Sequence, residues 1–237
     1  LLADPERLAD ILLYHVYADA VVLADGAISV AASDQSILEM ANATAVKSGG
    51  RTALSLSDTG LTVNLASVTS ANVMASNGVI HVIDNVMLPP PPKGDITANI
   101  VDTAIAAGAF TTLVSALETA GLVDALSDPD SELTVFAPTD AAFDLIDADQ
   151  LTALLADAEA LTTLLTTHVI AGSAVDSVTA YSLNGTMVET LSGKTVGVAI
   201  EDGNLLIQGA TVTSSDLYTT NGIIHVIDRV ITDAESE

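Results

Sequence analysis

The sequence NGVIHVIDNVMLP occupies residues 77–89, and a near-copy, NGIIHVIDRVITD, occupies residues 221–233. The chain has four histidines, and each of these stretches places one of them inside an apolar run. A buried imidazole needs hydrogen-bond partners. A histidine in this setting therefore either takes part in chemistry or holds a buried strand in place, and the rest of the sequence has to decide between these roles.

A second pair of related stretches indicates that the chain is a tandem repeat. LLADPERLADILLYHVYAD begins at residue 1 and LLADAEALTTLLTTHVIAG begins at residue 154, an offset of 153, whereas the histidine-containing stretches are offset by 144. The first copy therefore carries nine additional residues, which we place in the loop-like stretch 31–50. A period of about 150 residues predicts two tandem domains rather than a solenoid.

Prolines mark the predicted boundary between the domains, because PPPPKG favours a stiff, extended linker. Leu1 aligns with Leu154, so residues 95–153 have no counterpart in the first copy. We therefore expect the first domain to lack its N-terminal part. It should then expose apolar surface and a strand edge that another segment has to cover. The predicted divisions are an incomplete first domain at 1–88, a linker at 89–94, a complete second domain at 95–233 and an acidic tail at 234–237.

Composition and charge exclude several classes of function. The chain has 31 Asp and Glu residues against six Lys and Arg residues, a net charge of −25, and a hydrophobic fraction of 49%. A field of this sign repels phosphate backbones, so we expect no nucleic-acid partner. No apolar run approaches the roughly 20 residues of a transmembrane helix. The absence of cysteine removes disulfides, thiolate catalysis and cysteine–zinc sites.

Apolar spacing in the second copy predicts helices in its front part. Helical periodicity runs over 99–126, where Gly108 and Gly121 divide it into two short helices, and again over 151–168. Between these segments, LTVFAP at 133–138 predicts a short buried strand that ends at a proline.

Beyond Val169 the apolar period changes from helical spacing to two. TVGVAI, EDGN and LLIQGATV predict a hairpin that turns at Asp202-Gly203, and a further strand carries the histidine at 221–231. Helices come first and antiparallel strands later, which predicts an α+β fold.

Three ordered motifs resemble those of the fasciclin-type (FAS1) domain family. LTVFAPTDAAFDLI at 133–146 resembles the family's first signature, and NGIIHVIDRVI at 221–231 resembles its second. TTHVIAG at 166–172 falls where the family has a Tyr-His motif, and the first copy keeps the second signature at 77–88. The resemblance implies a fasciclin-like β-wedge or sandwich with helices along one edge, in two tandem copies. It also implies an extracellular or surface-attached adhesion or matrix module that is not an enzyme.

The signature histidines are predicted to have a structural role. If 221–231 is a strand, His225 shares a face with Ile223 and Ile227, and Asp228 lies on the opposite face. His225 and Asp228 therefore cannot form a local catalytic or ligand pair. We expect the histidines to hold a strand inside a core, with side-chain partners from the first signature. The predicted structural signature residues are Thr139, Asp140, Asn77, His81, Asp84, Asn221, His225 and Asp228.

The Tyr-His neighbourhood offers a candidate contact surface. In some animal members the family attaches adhesion contacts to this motif, which makes Tyr14, His15 and His168 candidate adhesion contacts by resemblance. Thr167 stands where the second copy would carry the tyrosine. The competing interpretation is that both histidines are packed residues at a helix-to-strand junction.

No motif for a catalytic, cofactor or metal site is present. GxSxG, HExxH, phosphate-binding and dinucleotide patterns are absent, and DPDSE at 128–132 lacks the glycine and terminal glutamate spacing of a calcium loop. We therefore predict a non-enzymatic module, with no cofactor, that is secreted or held at the cell surface. Its expected partners are a cell-surface or matrix protein, a polysaccharide, or a second copy of the chain.

Two alternative functions stay open. One is a self-assembling structural subunit whose incomplete first domain is completed by a neighbouring chain. The other is a small-ligand or carbohydrate-binding protein, although four tyrosines, three phenylalanines and no tryptophan argue against an aromatic platform for sugars.

Overall fold

The computed structural model describes residues 5–17, 21–31, 37–39, 51–57, 60–64, 66–91, 93–201 and 203–232. Two compact units are present. One contains Leu1–Asp95, Ser177–Asn184 and Ile200–Leu205, and the other contains Ile96–Asp176, Gly185–Ala199 and Leu206–Glu237. Below, the first copy means the described part of 5–91 and the second copy that of 96–232. The predicted limits of the tandem domains and linker stay a prediction.

The first copy contributes two helices and a five-stranded sheet among its described residues. The elements are α1 (Pro5–Leu13), α2 (Ala24–Ala31), β1 (Ile37–Glu39), β2 (Arg51–Ser57), β3 (Gly60–Val63), β4 (Ala66–Ala75) and β5 (Gly78–Ile83). The strands lie in the order β1-β2-β3-β4-β5, with antiparallel pairing throughout. A single 3-10 turn, Lys93–Asp95, follows.

The second copy mixes helices with a seven-stranded sheet. Its described helices are α3 (Ile100–Ala107), α4 (Thr111–Ala120), α5 (Val123–Ser127), α6 (Asp140–Phe143), α7 (Ala148–Ala156), α8 (Ala158–Thr167) and α9 (Ser177–Ser182). Its strands are β6 (Leu133–Pro138), β7 (Val169–Ala171), β8 (Thr186–Glu189), β9 (Thr195–Glu201), β10 (Asn204–Ile207), β11 (Ala210–Thr219) and β12 (Gly222–Ile227). The strand order is β7-β6-β12-β11-β10-β9-β8. The predicted α+β class is confirmed.

The glycine boundaries predicted for the first helical segment are confirmed. Gly108 ends α3 and Gly121 ends α4, with φ values of 68° and 67°. This left-handed conformation costs glycine little because it has no Cβ. The residues after Gly121 begin a third helix, α5, which the sequence analysis had merged with its neighbour.

The continuous helix predicted for 151–168 is wrong. The chain instead forms α7 and α8, because Asp157 between them accepts hydrogen bonds from the backbone N–H groups of Glu159 and Ala160 at 3.1 and 3.0 Å. An acidic side chain in this position stabilises a new helix start. The leucine spacing continues from α7 into α8, so it does not reveal the break between the two helices.

The strand predicted for LLIQGATV is interrupted. β10 ends before Gln208 and Gly209, whose φ values are 47° and 77°, and β11 begins directly after them. Two consecutive positive φ angles are typical of the tight turn that matches the twist of a hairpin. Of the turn predicted at Asp202-Gly203, Asp202 lies outside the described residues.

Strand β12 is the buried centre of the second sheet. It pairs antiparallel with β11 and parallel with β6, in a register that runs from Gly222↔Leu133 to Ile227↔Pro138. Every residue of β6 and β12 is buried, as expected for strands that are covered on both faces. The parallel pair was not predicted from the sequence. At the ends of the sheet, the N–H of Leu191 donates to the carbonyl of Val169 at 2.7 Å and nearly closes it.

Helices cover one face of β12. Ile100 of α3, Leu113 of α4 and Leu161 of α8 belong to one core with Ile224 and Val226. The longest of the described helices has 10 residues. None of the helices in the described ranges has the length and apolar character needed to cross a membrane.

The hairpins β4–β5 and β11–β12 are the same structure at an offset of 144 residues. Every registered pair in the first hairpin has its counterpart in the second, and both hairpins have two register shifts at equivalent positions. The equivalent residues Asn72 and Asp216 have φ values of 59° and 62°. Because bulges fix register, β4 and β5 can be compared residue by residue with β11 and β12.

The parallel pairing of β12 with β6 makes Gly222 intolerant of a side chain. A Cβ on Gly222 would overlap the backbone carbonyl of Leu133, whereas a Cβ on the equivalent Gly78 would meet nothing within 4 Å. We expect Gly222→Ala to lower the free energy of unfolding by about 2 kcal/mol or more through overpacking. We expect Gly78→Ala to change it by less than about 0.5 kcal/mol. Urea unfolding of the two variants measures both values, and equal losses would contradict the close approach.

Candidate functional site

His225 ties the segment before α9 to the middle of β12. The side chain is 1% exposed, and its Nε2–H donates to the carbonyl oxygen of Val175 at 2.8 Å. The ring stacks on Phe136 of β6, with 6.0 Å between ring centroids and an interplanar angle of 28°. Because a carbonyl oxygen only accepts, Nε2 holds a proton. Nδ1 is buried and has no partner among the described residues.

His81 makes the equivalent bond in the first copy. Its Nε2–H donates to the carbonyl oxygen of Val22, just ahead of α2, at 2.9 Å, and its Nδ1 is likewise buried without a partner in the described ranges. The ring of His81 is only partly buried. We call this hydrogen bond from a signature histidine to a backbone carbonyl an anchor. The anchor is repeated in both copies, while the surroundings of the ring differ.

The other two histidines form a second kind of anchor, where a helix ends. Nδ1–H of His168 donates to the carbonyl of Leu164 at 2.8 Å, and Nε2 accepts from the backbone N–H of Ile231 at 2.9 Å. His15 repeats this arrangement with Ile11 at 2.7 Å and Met87 at 3.0 Å. One nitrogen donates and the other accepts, so the geometry requires the neutral ring protonated at Nδ1.

The burial of His168 disfavours its charged form. Desolvation lowers its pKa from 6.5 to about 4, although the hydrogen bond to the Leu164 carbonyl acts in the opposite direction. A proton added at Nε2 would also remove the acceptor of the Ile231 N–H. Both effects keep this imidazole neutral around pH 7.

The candidate adhesion contacts differ in accessibility. Tyr14 and His168 are 2% and 3% exposed, so their side chains would have to leave the core in order to touch a partner. The Tyr14 hydroxyl accepts a hydrogen bond from Nδ2 of Asn64 at 3.3 Å. His15 is partly exposed, and a contact through its exposed ring edge stays a prediction.

The expectation that Thr139 or Asp140 would bond the buried histidine is wrong. Thr139 Oγ1 instead accepts from the N–H of Ala142 at 3.2 Å and caps α6. The Asp140 carboxylate accepts from the N–H of Thr112 at 2.7 Å, and from the hydroxyl and N–H of Thr111 at 2.9 and 3.2 Å. It therefore caps α4.

Burial raises the pKa of Asp140, but these hydrogen bonds outweigh it, and the pKa lies below the ordinary 3.8. Thr139 and Asp140 thus cap two helices and do not reach His225. Sequence reasoning found the right residues and the wrong partners.

Asn221 and Asn77 occupy equivalent positions with different environments. Asn221 is 2% exposed. Its Oδ1 accepts from the N–H of Ile100 at 3.0 Å, and its Nδ2 donates to the carbonyls of Leu126 and Asp128 at 2.8 and 3.2 Å. Asn77 is exposed. Asn221 therefore fixes the helical layer of the second copy to the start of β12.

Asp228 and Asp84, by contrast, have the same role in each copy. Asp228 Oδ1 accepts from the N–H of Thr211 at 2.8 Å, and Asp84 Oδ1 accepts from the N–H of Ser67 at 2.7 Å. Each aspartate holds the end of the histidine strand to the start of the preceding strand. Asp228 and His225 bond separate backbone groups, in agreement with their predicted opposite faces.

Thr134 is a structural residue that the sequence analysis missed. It is fully buried in β6, and its hydroxyl donates to the carbonyl of Ser173 and accepts from the N–H of Val175, both at 2.8 Å. It thereby positions the Val175 carbonyl that accepts the hydrogen bond from His225. A threonine within an otherwise apolar strand was the available signal.

The polar side chains described above form hydrogen bonds mainly with backbone groups rather than with one another. The signature histidines, aspartates and Asn221 each engage backbone N–H or carbonyl groups of another segment. In the part of the chain that the structure describes, no three His, Asp or Glu side chains converge as metal ligands. What the geometry can do chemically is hold segments together.

Known proteins share this sequence and architecture. A family model described as the fasciclin domain matches residues 1–89 and 108–233. Transforming growth factor-beta-induced protein ig-h3 of Sus scrofa is 35% identical over 173 residues, which cover 72% of this chain and 24% of that protein. Cell surface glycolipoprotein MPB83 of Mycobacterium bovis is 32% identical over 151 residues, which cover 60% of this chain and 66% of that protein. The chain thus spans about a quarter of the length of ig-h3.

A solved structure has the same fold. It is a FAS1 domain pair from the insect cell adhesion molecule fasciclin I, with a TM-score of 0.52 and 19% sequence identity. The match covers 98% of this chain and 82% of the solved one. The tandem fold implied by the sequence is thereby confirmed.

The contrast between the two asparagines gives a matched pair of variants. We expect Asn221→Ala to destabilise the chain by at least about 2 kcal/mol, because three backbone groups lose a buried partner. We expect the exposed counterpart, Asn77→Ala, to cost less than about 0.5 kcal/mol. Urea unfolding followed by circular dichroism compares them, and a loss at Asn77 as large as that at Asn221 would contradict the assigned role.

The lowered pKa of His168 predicts a specific pH dependence. The unfolded histidine takes up a proton as the pH falls through 6.5, whereas the folded one does so only near pH 4. Stability that is present above pH 6.5 is therefore lost progressively toward pH 4, by about 2 kcal/mol between pH 7 and pH 5. Unfolding of the parent and of His168→Gln across this range tests the idea. The variant should show a flatter slope, and an unchanged slope would refute the assignment to His168.

Proposed function

The chain belongs to the fasciclin domain family, and on that premise we propose that it is a non-enzymatic adhesion module that binds proteins outside the cell or at its surface. The observation that carries the proposal is the use of the signature side chains as structural anchors. His168 and His225 are buried and bonded to backbone, and Asp140 caps a helix. Function would then reside on the exposed surface that these anchors support.

One relative supports the proposed location, because MPB83 is a cell surface glycolipoprotein. The net charge of −25 suits a solvated outer surface. It also favours partners with basic patches, whose association rate would fall as salt screens the attraction.

Buried aromatic side chains favour a protein partner over a polysaccharide. All three phenylalanines, Phe110, Phe136 and Phe143, lie in the core. Tyr14 and Tyr181 are also buried, at 2% exposure each. An aromatic platform on which sugar rings could stack would need exposed rings. Exposed aliphatic side chains such as Leu145 and Met187 instead offer apolar contacts of the kind found in protein interfaces.

The proposal predicts saturable retention of protein partners. The chain, immobilised at defined density, is exposed to cells and to soluble matrix proteins at physiological salt, and binding is followed by biolayer interferometry. Gly78→Ala should bind like the parent, whereas the destabilised Gly222→Ala should lose binding at temperatures where it unfolds. An unrelated acidic protein of matched net charge serves as the control for non-specific attraction.

Three results would count against the proposal. If the acidic control protein retained cells and proteins as well as the chain does, the binding would reflect charge alone. Binding confined to a glycan array would replace the protein partner with a polysaccharide. Failure to retain any cell or protein would remove the adhesive function.

A further inference from the structure

Three Asn-Gly dipeptides occur in the chain, at residues 77–78, 184–185 and 221–222. This dipeptide is chemically labile because glycine has no side chain to shield its backbone nitrogen. That nitrogen can attack the Cγ atom of the asparagine. The new N–Cγ bond closes a succinimide ring, while the Cγ–Nδ2 bond breaks and Nδ2 leaves as ammonia with the proton of the glycine N–H. Water then opens the ring to aspartate or to isoaspartate, whose main chain runs through the former side chain.

The folded second copy holds Asn221 away from this reaction. Its side chain is 2% exposed, and its amide group is bonded to the three backbone groups described above. Its main-chain carbonyl accepts from the N–H of Leu133 at 3.1 Å. To meet the nitrogen of Gly222, the amide would have to turn and leave buried partners unpaired. Burial also keeps away the water that the second step consumes.

The other two asparagines of this kind are exposed. Asn77 lies in the equivalent turn of the equivalent hairpin, since Ala75↔Gly78 corresponds to Thr219↔Gly222 in the register. The turns therefore match, whereas burial and bonding of the amide differ. This pairing separates the effect of the turn from the effect of the core.

Neither product fits the folded second copy. A carboxylate at position 221 has only acceptors, so it would face the Leu126 and Asp128 carbonyls that now receive bonds from Nδ2. It would also be a buried charge without a partner. Isoaspartate adds a methylene to the main chain just before Gly222, where even a Cβ would overlap the Leu133 carbonyl. The extra atom would shift β12 against β6.

We propose that Asn221-Gly222 is a latent modification site, which stays intact in the folded chain and converts to aspartate or isoaspartate when the second copy opens. Water is the only co-reactant. The rate of conversion follows the fraction of opened molecules. Because neither product fits the core, conversion makes the loss of structure irreversible. The inference does not depend on the adhesive function, since it needs only the contacts of Asn221.

A comparison of the folded and the denatured full chain tests the protection. Both samples are held at the same mildly alkaline pH and temperature, and mass spectrometry of proteolytic peptides follows each Asn-Gly dipeptide separately. In guanidinium chloride all three should convert at similar rates. In buffer, Asn221 should convert at least about 100-fold more slowly than in denaturant, whereas Asn77 should stay within about tenfold of its denatured rate.

Refolding tests the consequence of conversion. After increasing times in guanidinium chloride the chain is diluted into buffer, and circular dichroism measures the fraction that refolds. This fraction should fall in step with conversion at Asn221. The matched control is a double variant, Asn77→Gln with Asn184→Gln, which removes the two exposed dipeptides and should lose refolding at the rate of the parent. Asn221→Asp imitates one product and should refold poorly without any incubation.

Four results would overturn the proposal. Conversion of Asn221 in buffer as fast as in denaturant would show that the core gives no protection. Equal protection of Asn77 and Asn221 would assign the protection to the turn that they share. Complete refolding of molecules converted at Asn221 would show that the product fits. Sustained refolding of the double variant would assign the loss to Asn77 or Asn184.

Discussion

The complete burial of β12 is the constraint on which the second copy depends. A strand that is covered on both faces and paired on both edges leaves no route to water for any polar group that it carries. An unpaired buried polar group costs on the order of 1–3 kcal/mol. The imidazole of His225 meets this constraint at Nε2, whose N–H reaches the Val175 carbonyl. Its ring stacks on Phe136, and its Nδ1 has no partner among the described residues. A strand held by such a residue has one register and one set of neighbours.

The two copies share the hydrogen bonds of their anchors and differ in the layer that packs over the histidine strand. His15 and His168 bridge a helix end to a backbone N–H, and Asp84 and Asp228 hold equivalent strand starts, with closely similar distances in each copy. The helical layer that buries Asn221 and Ile224 in the second copy has no described counterpart over β5. The hydrogen bonds of the anchors are therefore repeated in both copies, whereas burial depends on what packs over each of them.

The anchors also commit several polar side chains to structural hydrogen bonds. His168 must stay neutral with its proton on Nδ1, and both nitrogens are occupied by backbone groups. Asp140 is stabilised as a carboxylate by helix N–H groups. Side chains that are committed in this way stabilise the scaffold. Under the proposed function, recognition would fall to exposed residues outside this set of bonds.

Sequence periodicity and motifs determined the repeat, the α+β class, the family, and the glycine boundaries of helices. These features are local, since caps and apolar spacing act over a few residues. The tertiary structure alone decided the partners of the polar residues. His225 bonds a residue 50 positions away, and Asn221 one that is 121 positions away. Asp140 reaches back to α4 rather than to the histidine, and β6 enters the sheet parallel to β12. Contacts of this kind leave no spacing in the sequence, because they arise only when distant segments pack into one core.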